Sequence, residues 1–440
     1  MGRRFDPDRA HKKFVYERLG MQIRVKSLTL IFFSYLVAIV FNYGKYVQGD
    51  FAIYFAAGQR INSGQELYES QSNLYVYGPL LAHILSTVSN FDEILVSRLW
   101  LILSIFAINL SAFLICRVFI KDSNFEKYLV SMVIMNIGFA ARNNLGNGNV
   151  MAFVLLAAIL VLYLIREKED KTSSLLIAAL TLFIFEVKTY LALFLIFYLV
   201  ILKSFKVLTY LVGLVGILNV IYIFASSISY FDWIQSLVQR SKGIERGSDQ
   251  ATYLFFINAV SDGLTLKAWI LSFLVYTVLL GLMIRTLLAN RLDRQNQALV
   301  LLAAAPVITI FSHGQDFIFS TLVLVAVTLG YHSLKSMQYW SKIYFAFAIG
   351  LLINWTNEQF IPAVLIHSLL VIALISVRID SRIIIGAFLL NASSTFILHM
   401  LLNNPGDVQY QAYNLQALLF GTFTFLLATK FRCPKERLEA

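Results

Sequence analysis

An apolar run long enough to cross a bilayer leaves a chain few options. Every backbone N–H and C=O inside lipid must be satisfied within a helix or a closed barrel. This 440-residue chain repeats such runs almost end to end, in apolar stretches of about 17–25 residues, the length of a spanning helix. The alternating ten-residue segments of a membrane barrel do not occur. Charged residues make up 14% of the chain, against about 25% in soluble domains. The class is therefore an all-α polytopic integral membrane protein. Of the two cysteines, Cys116 lies in an apolar run and Cys433 in the basic C-terminal tail, which argues against a disulfide framework. No Cys/His cluster has zinc-site spacing.

The formal net charge of +11 would suggest a nucleic-acid partner in a soluble protein. Here the basic residues gather in short connections and tails, so they are read as topology signals, with no nucleic-acid partner expected. The first 26 residues hold eight Lys or Arg against three Asp or Glu, which places the N-terminus in the cytoplasm. The segment is too long and polar for a signal peptide and lacks a small-residue cleavage site, so the first apolar run is expected to be a retained anchor. That run, Leu28–Tyr43, leads outward into a long loop over 44–96, which contains a short apolar piece, Pro79–Val88, read as re-entrant or interfacial. The next run, Ser97–Val118, returns inward. Further spans are read near 128–141, 149–165, 173–187, 189–202, 207–226, 266–286, 296–311, 317–334, 341–355, 361–377, 382–402 and 412–430. The total is roughly twelve to fourteen. Connections such as "KDSNFEK", "REKEDK" and "VRIDSR" fall on the cytoplasmic side. "ARNNLGNGN", "FEVKTY", "SHGQDF" and a second large loop, 227–265, fall outside. Both termini are then cytoplasmic, and 1–440 forms one transmembrane domain.

The unusual polar groups share the outer side: Asp50, Arg142, the run "NNLGNGN", Glu186, Lys188, His313 and Asp316. Ionisable groups near a bilayer are expensive and tend to line a cavity or pathway. In "DFAIYFAAGQRINSGQELY", residues Phe51, Tyr54, Phe55, Gly58 and Ile61 share one helical face, and Gly64 is a stop signal. Asp50 then sits at or near the N-cap, where a carboxylate accepts from unpaired N–H groups. It is also placed to act as a general base. In "GNGN" (146–149), Asn147 and Asn149 offer donors and acceptors at a helix N-terminus, suited either to a phosphate or sugar or to an ordinary cap. Arg142 is either a phosphate partner or a headgroup contact. Lys188 is a candidate point charge for phosphate, with Glu186 its partner or a bystander. His313 and Asp316 either orient one another or a phosphate oxygen, or form a polar hairpin tip. In 227–265, Trp233, Arg240, Lys242, Arg246 and Asp249 suggest a mobile lid or an acceptor contact.

The stretch "DFAIYFAAGQRINSGQELYESQSNLYVYGPL" resembles the first outer loop of the family 87 glycosyltransferases (GT87, DUF2029), which include polyprenol-phosphate-mannose-dependent α-mannosyltransferases. The matching residues are Asp50, Ala56, Ala57, Gly64, Leu67 and Tyr68, then Tyr75, Tyr77 and Pro79. Gly146–Asn149 resembles that family's Gly-Gln-x-Asn, with Asn147 in place of Gln. Lys188 matches its lysine after an apolar helix, although Thr189 follows where many relatives have a nearby Pro. Pro306, His313 and Asp316 resemble its Pro-then-His/Tyr segment. The resemblance covers about 28–320.

The resemblance implies a GT-C fold with an amphipathic helix in the first outer loop. It implies transfer of a sugar, mannose or another hexose, from a polyprenyl-phosphate donor to a lipid or glycan acceptor, with inversion and no metal or other cofactor. Asp50 would be the catalytic base. Arg142, Asn147, Asn149, Lys188, His313 and Asp316 would bind the donor's phosphate and sugar, and Tyr54, Arg60 and Tyr77 would contact the acceptor or order the loop. The implied setting is the cytoplasmic membrane, with the site on its outer face. Two other readings compete: a lipid-linked sugar flippase or transporter, and a polysaccharide polymerase or ligase. A transporter would need a two-sided polar path and often shows inverted repeats; the polar groups here lie on one face and no such repeat is apparent.

Overall fold

The computed structural model describes residues 7–68, 75–120, 124–167, 171–241, 266–288, 294–309, 313–330, 339–353, 360–377, 379–401 and 407–430. Among these residues every regular element is helical. The first half holds α1 (Pro7–Tyr43), α2 (Gly49–Ser63), α3 (Pro79–Ser86), α4 (Glu93–Phe119), α5 (Phe125–Ile137) and α6 (Phe139–Asn147). It continues with α7 (Met151–Glu167), α8 (Lys171–Val187), α9 (Thr189–Ile201), α10 (Phe205–Ser226) and α11 (Tyr230–Ser241). The second half holds α12 (Leu266–Leu288), α13 (Arg294–Ile308), a 3-10 turn (Gly314–Phe317) and α14 (Ile318–Leu329). The last helices are α15 (Tyr339–Leu351), α16 (Phe360–Ser376), α17 (Ser381–Leu401) and α18 (Asp407–Lys430).

The protein is a polytopic, all-helical membrane protein. Four described helices, Val25–Tyr43, Glu93–Phe119, Phe205–Ser226 and Ile270–Leu288, are long and apolar enough to cross a bilayer by length and composition. Seven further apolar helices of 10–17 residues accompany them. Several runs that read as single spans are thus divided or shortened. The run read as 128–141 breaks at Gly138 between α5 and α6, the two spans read on either side of Lys188 are α8 and α9, and Pro306 lies inside α13. Such breaks are tolerated where protein, rather than lipid, meets the freed backbone groups. At the first of them the Phe139 N–H donates to the Leu352 carbonyl at 3.0 Å.

Helix α14 is buried along its whole length and packs against α4, α5, α13 and α18, so it forms the axis of the bundle. Around it α4 packs on α7, α7 on α8 and α8 on α10. On the periphery, Phe33 and Phe41 of α1 and Val212 and Phe224 of α10 remain exposed, as lipid-facing side chains do.

The first outer loop folds on the bundle as a helix pair. Helix α2 forms where the 3.6-residue periodicity predicts it and buries Phe51, Tyr54, Phe55, Ala57 and Gly58. Gly64 ends it in the left-handed region at φ 67°. Proline at the first position of α3 suits a helix start, where no N–H is needed. The piece read as re-entrant or interfacial is this short helix, seated on α2. Asp50 lies near the N-cap, as expected, but is not the cap itself. The N-cap of α2 is Gln48, with no side-chain cap hydrogen bond. Asp50 is the second helical residue, and its carboxylate reaches across to another helix.

At Gly58 the two helices touch backbone to backbone. A Cβ there would lie 2.7 Å from the Leu85 carbonyl carbon and 2.8 Å from the Ser86 nitrogen. Gly58→Ala should therefore push α3 off α2 at a cost of about 1–3 kcal/mol, the usual range for overpacking. The check is the thermal unfolding midpoint in detergent, compared with Gly49→Ala, where a Cβ meets nothing within 4 Å.

Candidate active site

The corner between α1 and α2 is fixed first. Gln48 is buried; its Nε2 donates to the Tyr43 carbonyl at 3.0 Å, and its Oε1 accepts from the Ser97 hydroxyl of α4. Arg98 Nε donates to the Gly44 carbonyl at 2.7 Å. With both sides of the corner held to α4, Asp50 has a set position in the first turn of α2, where the helix dipole favours an anion.

The partner of Asp50 comes from the "GNGN" turn. Asn149 Nδ2 donates to Asp50 Oδ2 at 2.6 Å, and Asn149 Oδ1 accepts the Met151 N–H at the start of α7 at 3.0 Å. The backbone donor fixes which end of the amide faces the carboxylate. Gly148 makes the approach possible. It is left-handed, φ 67°, and a Cβ on it would lie 2.7 Å from Gln48 Cβ and 2.8 Å from Phe51 Cβ. Its carbonyl accepts from Trp100 Nε1 at 2.9 Å.

One turn along α2, the buried Tyr54 hydroxyl donates to the Tyr77 hydroxyl at 3.1 Å, with the rings edge to face at 5.1 Å. Tyr77 lies within electrostatic reach of Lys188, Asp50 and Asp316. Burial pushes its phenol above the ordinary tyrosine value, and the Lys188 ammonium pulls partly the other way. Lys188 Nζ pairs with Asp316 Oδ1 at 3.1 Å, the Asp316 side chain being fully buried and that of Lys188 10% exposed. Burial lowers the ammonium's pKa, but Asp316, Tyr77 and Asp50 outweigh it, leaving Lys188 above the ordinary lysine value. The other Asp316 oxygen accepts the His313 backbone N–H at 3.0 Å.

Asp50, Asn149, Tyr54, Tyr77, Lys188 and Asp316 thus converge on one polar locus, assembled from α2, the loop before α3, the α6–α7 turn, the α8–α9 break and the 3-10 turn. Other candidates lie around it or away from it. Asn147 is exposed and donates to Asn143 Oδ1 at 2.9 Å; Asn143 in turn donates to Gln315 Oε1 at 3.1 Å. This ladder joins α6 to the 3-10 turn, with partly exposed His313 at the turn's start. Arg142 is buried toward α1: Nε donates to the Ile137 carbonyl at 3.0 Å, and its charge acts on Tyr35 and Tyr43. Arg60 sits in the last turn of α2, about 15 Å along the helix from Asp50 at 1.5 Å per residue.

Glu186 is not the partner of Lys188. Its Oε2 accepts the Leu80 N–H at 2.7 Å, and its Oε1 accepts from the hydroxyls of Tyr222, at 3.0 Å, and Tyr230. Its backbone carbonyl accepts the Gly78 N–H at 2.6 Å. Tyr68 OH donates to the Tyr77 carbonyl at 2.9 Å, and Trp233 Nε1 to that of Val76 at 3.1 Å. The segment that presents Tyr77 is therefore gripped from several elements. Trp233, read as part of a mobile lid or an acceptor contact, is buried in this grip. Arg240 lies in α11. Lys242, Arg246 and Asp249 fall outside the described residues.

Sequence reasoning missed Gln48, Ser97, Gln315, Tyr222 and Tyr230, and named Asn143 only as part of the run "NNLGNGN". Tyr222 carried a faint signal, as a hydroxyl near the outer end of an apolar span; the rest read as ordinary loop or helix polarity. Among the described residues no group of three or more His, Cys, Asp or Glu side chains comes together in a way that could hold a metal ion.

A helical membrane bundle with a buried, charge-paired polar locus at its helix breaks is the frame of a membrane enzyme acting on a polar group at the lipid boundary. The sequence profile of glycosyltransferase family 87 matches residues 75–312, more than half of the chain. The chain belongs to that family and is a membrane glycosyltransferase. A search of the curated proteins and a search of the solved structures each return no match. The matched range holds Tyr77, Asn149 and Lys188; Asp50 and Tyr54 enter the locus from before it, and His313 and Asp316 from just beyond.

Two expectations follow for the ion pair. Asp316→Asn leaves a buried ammonium without its counter-charge and should destabilise the protein by about 3–5 kcal/mol, read as a lower thermal midpoint. Lys188 titrates above its unfolded value, so its contribution is complete below the ordinary lysine pKa, 10.5, and is lost only as pH rises through the higher folded value. The difference in unfolding midpoint between wild type and Lys188→Met should therefore stay constant from pH 6 to 9 and shrink only in strong alkali.

Proposed function

We propose that this glycosyltransferase moves a sugar, mannose or another hexose, from a polyprenyl-phosphate donor to a lipid or glycan acceptor on the outer face of the cytoplasmic membrane. Asp50 is the general base. The observation that carries the reading is the anchored carboxylate: Asn149 holds Asp50 Oδ2 at 2.6 Å, and Lys188 and Tyr77 lie within its field. The donor is a phosphodiester bearing one negative charge. The acceptor hydroxyl gives its proton to Asp50 as its oxygen bonds to the anomeric carbon. The anomeric C–O bond breaks from the opposite side, inverting the centre, and its electron pair leaves on the lipid phosphate. That phosphate becomes a dianion, and Lys188 is the cation aimed at its growing charge.

In this reading Asp316 keeps Lys188 charged and placed, while the Asn143–Asn147–Gln315 ladder and His313 meet sugar hydroxyls or phosphate oxygens. Arg142 ties α6 to the end of α5 through the Ile137 carbonyl. A lipid-phosphate leaving group supplies no nucleotide to be clamped, so the mechanism uses no metal. The bundle belongs to the GT-C architecture, with both termini cytoplasmic.

The test is purified protein in bilayers with radiolabelled polyprenyl-phosphate mannose and an acceptor lipid extract, without nucleotide. Wild type should transfer label. Asp50→Asn should stay folded and bind donor while transfer falls about 10²–10⁴-fold, the usual worth of a general base. Near-normal transfer by Asp50→Asn sinks the base assignment. Movement of the donor across vesicles without transfer sinks the enzyme reading in favour of a flippase.

A further inference from the structure

Helix α11 was expected in an outer loop, yet it does not stand away from the bundle. α10 ends at Ser226, and Ser227 turns the chain in the left-handed region at φ 56°. The chain then folds back, and the Tyr230 N–H donates to Asn219 Oδ1 at 2.9 Å. Asn219 lies seven residues before the end of α10, about 10 Å along a helix. The start of α11 is therefore level with the last two turns of an apolar spanning helix, on its outer side.

At this level α11 has three faces. Tyr230, Trp233 and Leu237 pack inward with Tyr222, Phe185 and Leu80. Asp232 and Gln235 are exposed polar residues. Between those stripes, about 100° from the inward face by helical geometry, lie Phe231, Ile234 and Val238, exposed by 73, 52 and 51%. Three apolar side chains at i, i+3 and i+7 facing outward are not a water-exposed lid's composition. They continue the exposed apolar surface of α10, where Val220 and Ile221 are about half exposed and Phe224 is 87% exposed.

We infer that α11 is an interfacial helix whose Phe231–Ile234–Val238 stripe is seated in the lipid at the bilayer–water boundary. Protein, lipid and water each take one face, as an in-plane amphipathic helix requires, with its apolar side buried about 5–10 Å below the headgroups. The inward face carries the Tyr230 hydroxyl to Glu186 and Trp233 Nε1 to the Val76 carbonyl. The lipid surface thereby supports the grip that presents Tyr77, next to the locus where a lipid-borne substrate would arrive. The inference concerns the helix's surroundings and stands whether or not the donor proposed above is the right one.

The test uses the full chain with Cys116→Ala and Cys433→Ser, carrying one nitroxide at position 231, 234, 235 or 238, in phosphatidylcholine nanodiscs. Oxygen should relax the label more strongly than a water-soluble nickel chelate at 231, 234 and 238, with the order reversed at 235. Nickel preference at all four positions would make α11 an aqueous lid and overturn the inference. So would exclusion of both relaxants at 234, which would mean that protein covers the stripe. Should the cysteine variants not fold, wild-type protein in bilayers containing an acyl-chain diazirine lipid decides it: adducts must map to 231–238, and adducts on α10 without any on α11 would overturn the inference.

Discussion

A buried ammonium inside an apolar bundle sets the terms for everything near it. Lys188 stands where α8 and α9 would otherwise run on as one long greasy helix. Burial lowers its pKa, and the carboxylate of Asp316 at 3.1 Å, with Tyr77 and Asp50, raises it above the ordinary lysine value. That pairing requires the 3-10 turn at 314–317 to sit beside the α8–α9 break, although more than a hundred residues separate them. The turn in turn receives the α6 side chains through Gln315 and Asn143. One charge thus ties the α8–α9 break to the 3-10 turn, which is itself tied to α6. In lipid, non-helical backbone is affordable only where protein surrounds it, so the breaks and the polar locus fall in the same place for one reason.

The second carboxylate is handled differently. Asp50 is only partly buried and takes its hydrogen bond from a neutral amide rather than a cation. A neutral amide donor fixes where the carboxylate sits. Asp316 is the structural acid, buried and ion-paired; Asp50 is held in place and still reachable. That division, two acids near one lysine with different partners, is the geometric ground for the proposal that Asp50 takes the proton.

The outline was legible because hydropathy and charge are local. Apolar run lengths announced a helical membrane bundle, and the periodicity of Phe51, Tyr54, Phe55 and Gly58 with the stop at Gly64 located α2 nearly to its ends. Several groups of the locus were also visible, because Asp50, Asn149, Lys188 and Asp316 are costly in such company. Pairings were not visible. Sequence proximity left Glu186 as either a partner of Lys188 or a bystander, and put Asp50 at or near a cap with a general-base role beside it. The partners are Asp316 and Asn149, brought from 128 and 99 positions away in the chain by helix packing. The break at Gly138, inside the run read as 128–141, was hidden, since a glycine interrupts a helix without changing its mean hydropathy enough to mark two elements, whereas the one at Lys188 was marked by the charges of "FEVKTY".

Glu186 shows why the neighbour in sequence was the wrong partner. On one short connector the chain carries Glu186 at the end of a helix and Lys188 just beyond it, so the two side chains leave in different directions. Glu186 gathers two tyrosine hydroxyls and a backbone N–H from three other elements, which satisfies a buried carboxylate through neutral donors. Lys188 is left to find its charge partner elsewhere. The result is two adjacent jobs on one break: Glu186 holds the Tyr77 segment, and Lys188 meets the charge across from it. Any movement of that break would shift the loop and the cation together, so the geometry around Asp50 is set jointly rather than residue by residue.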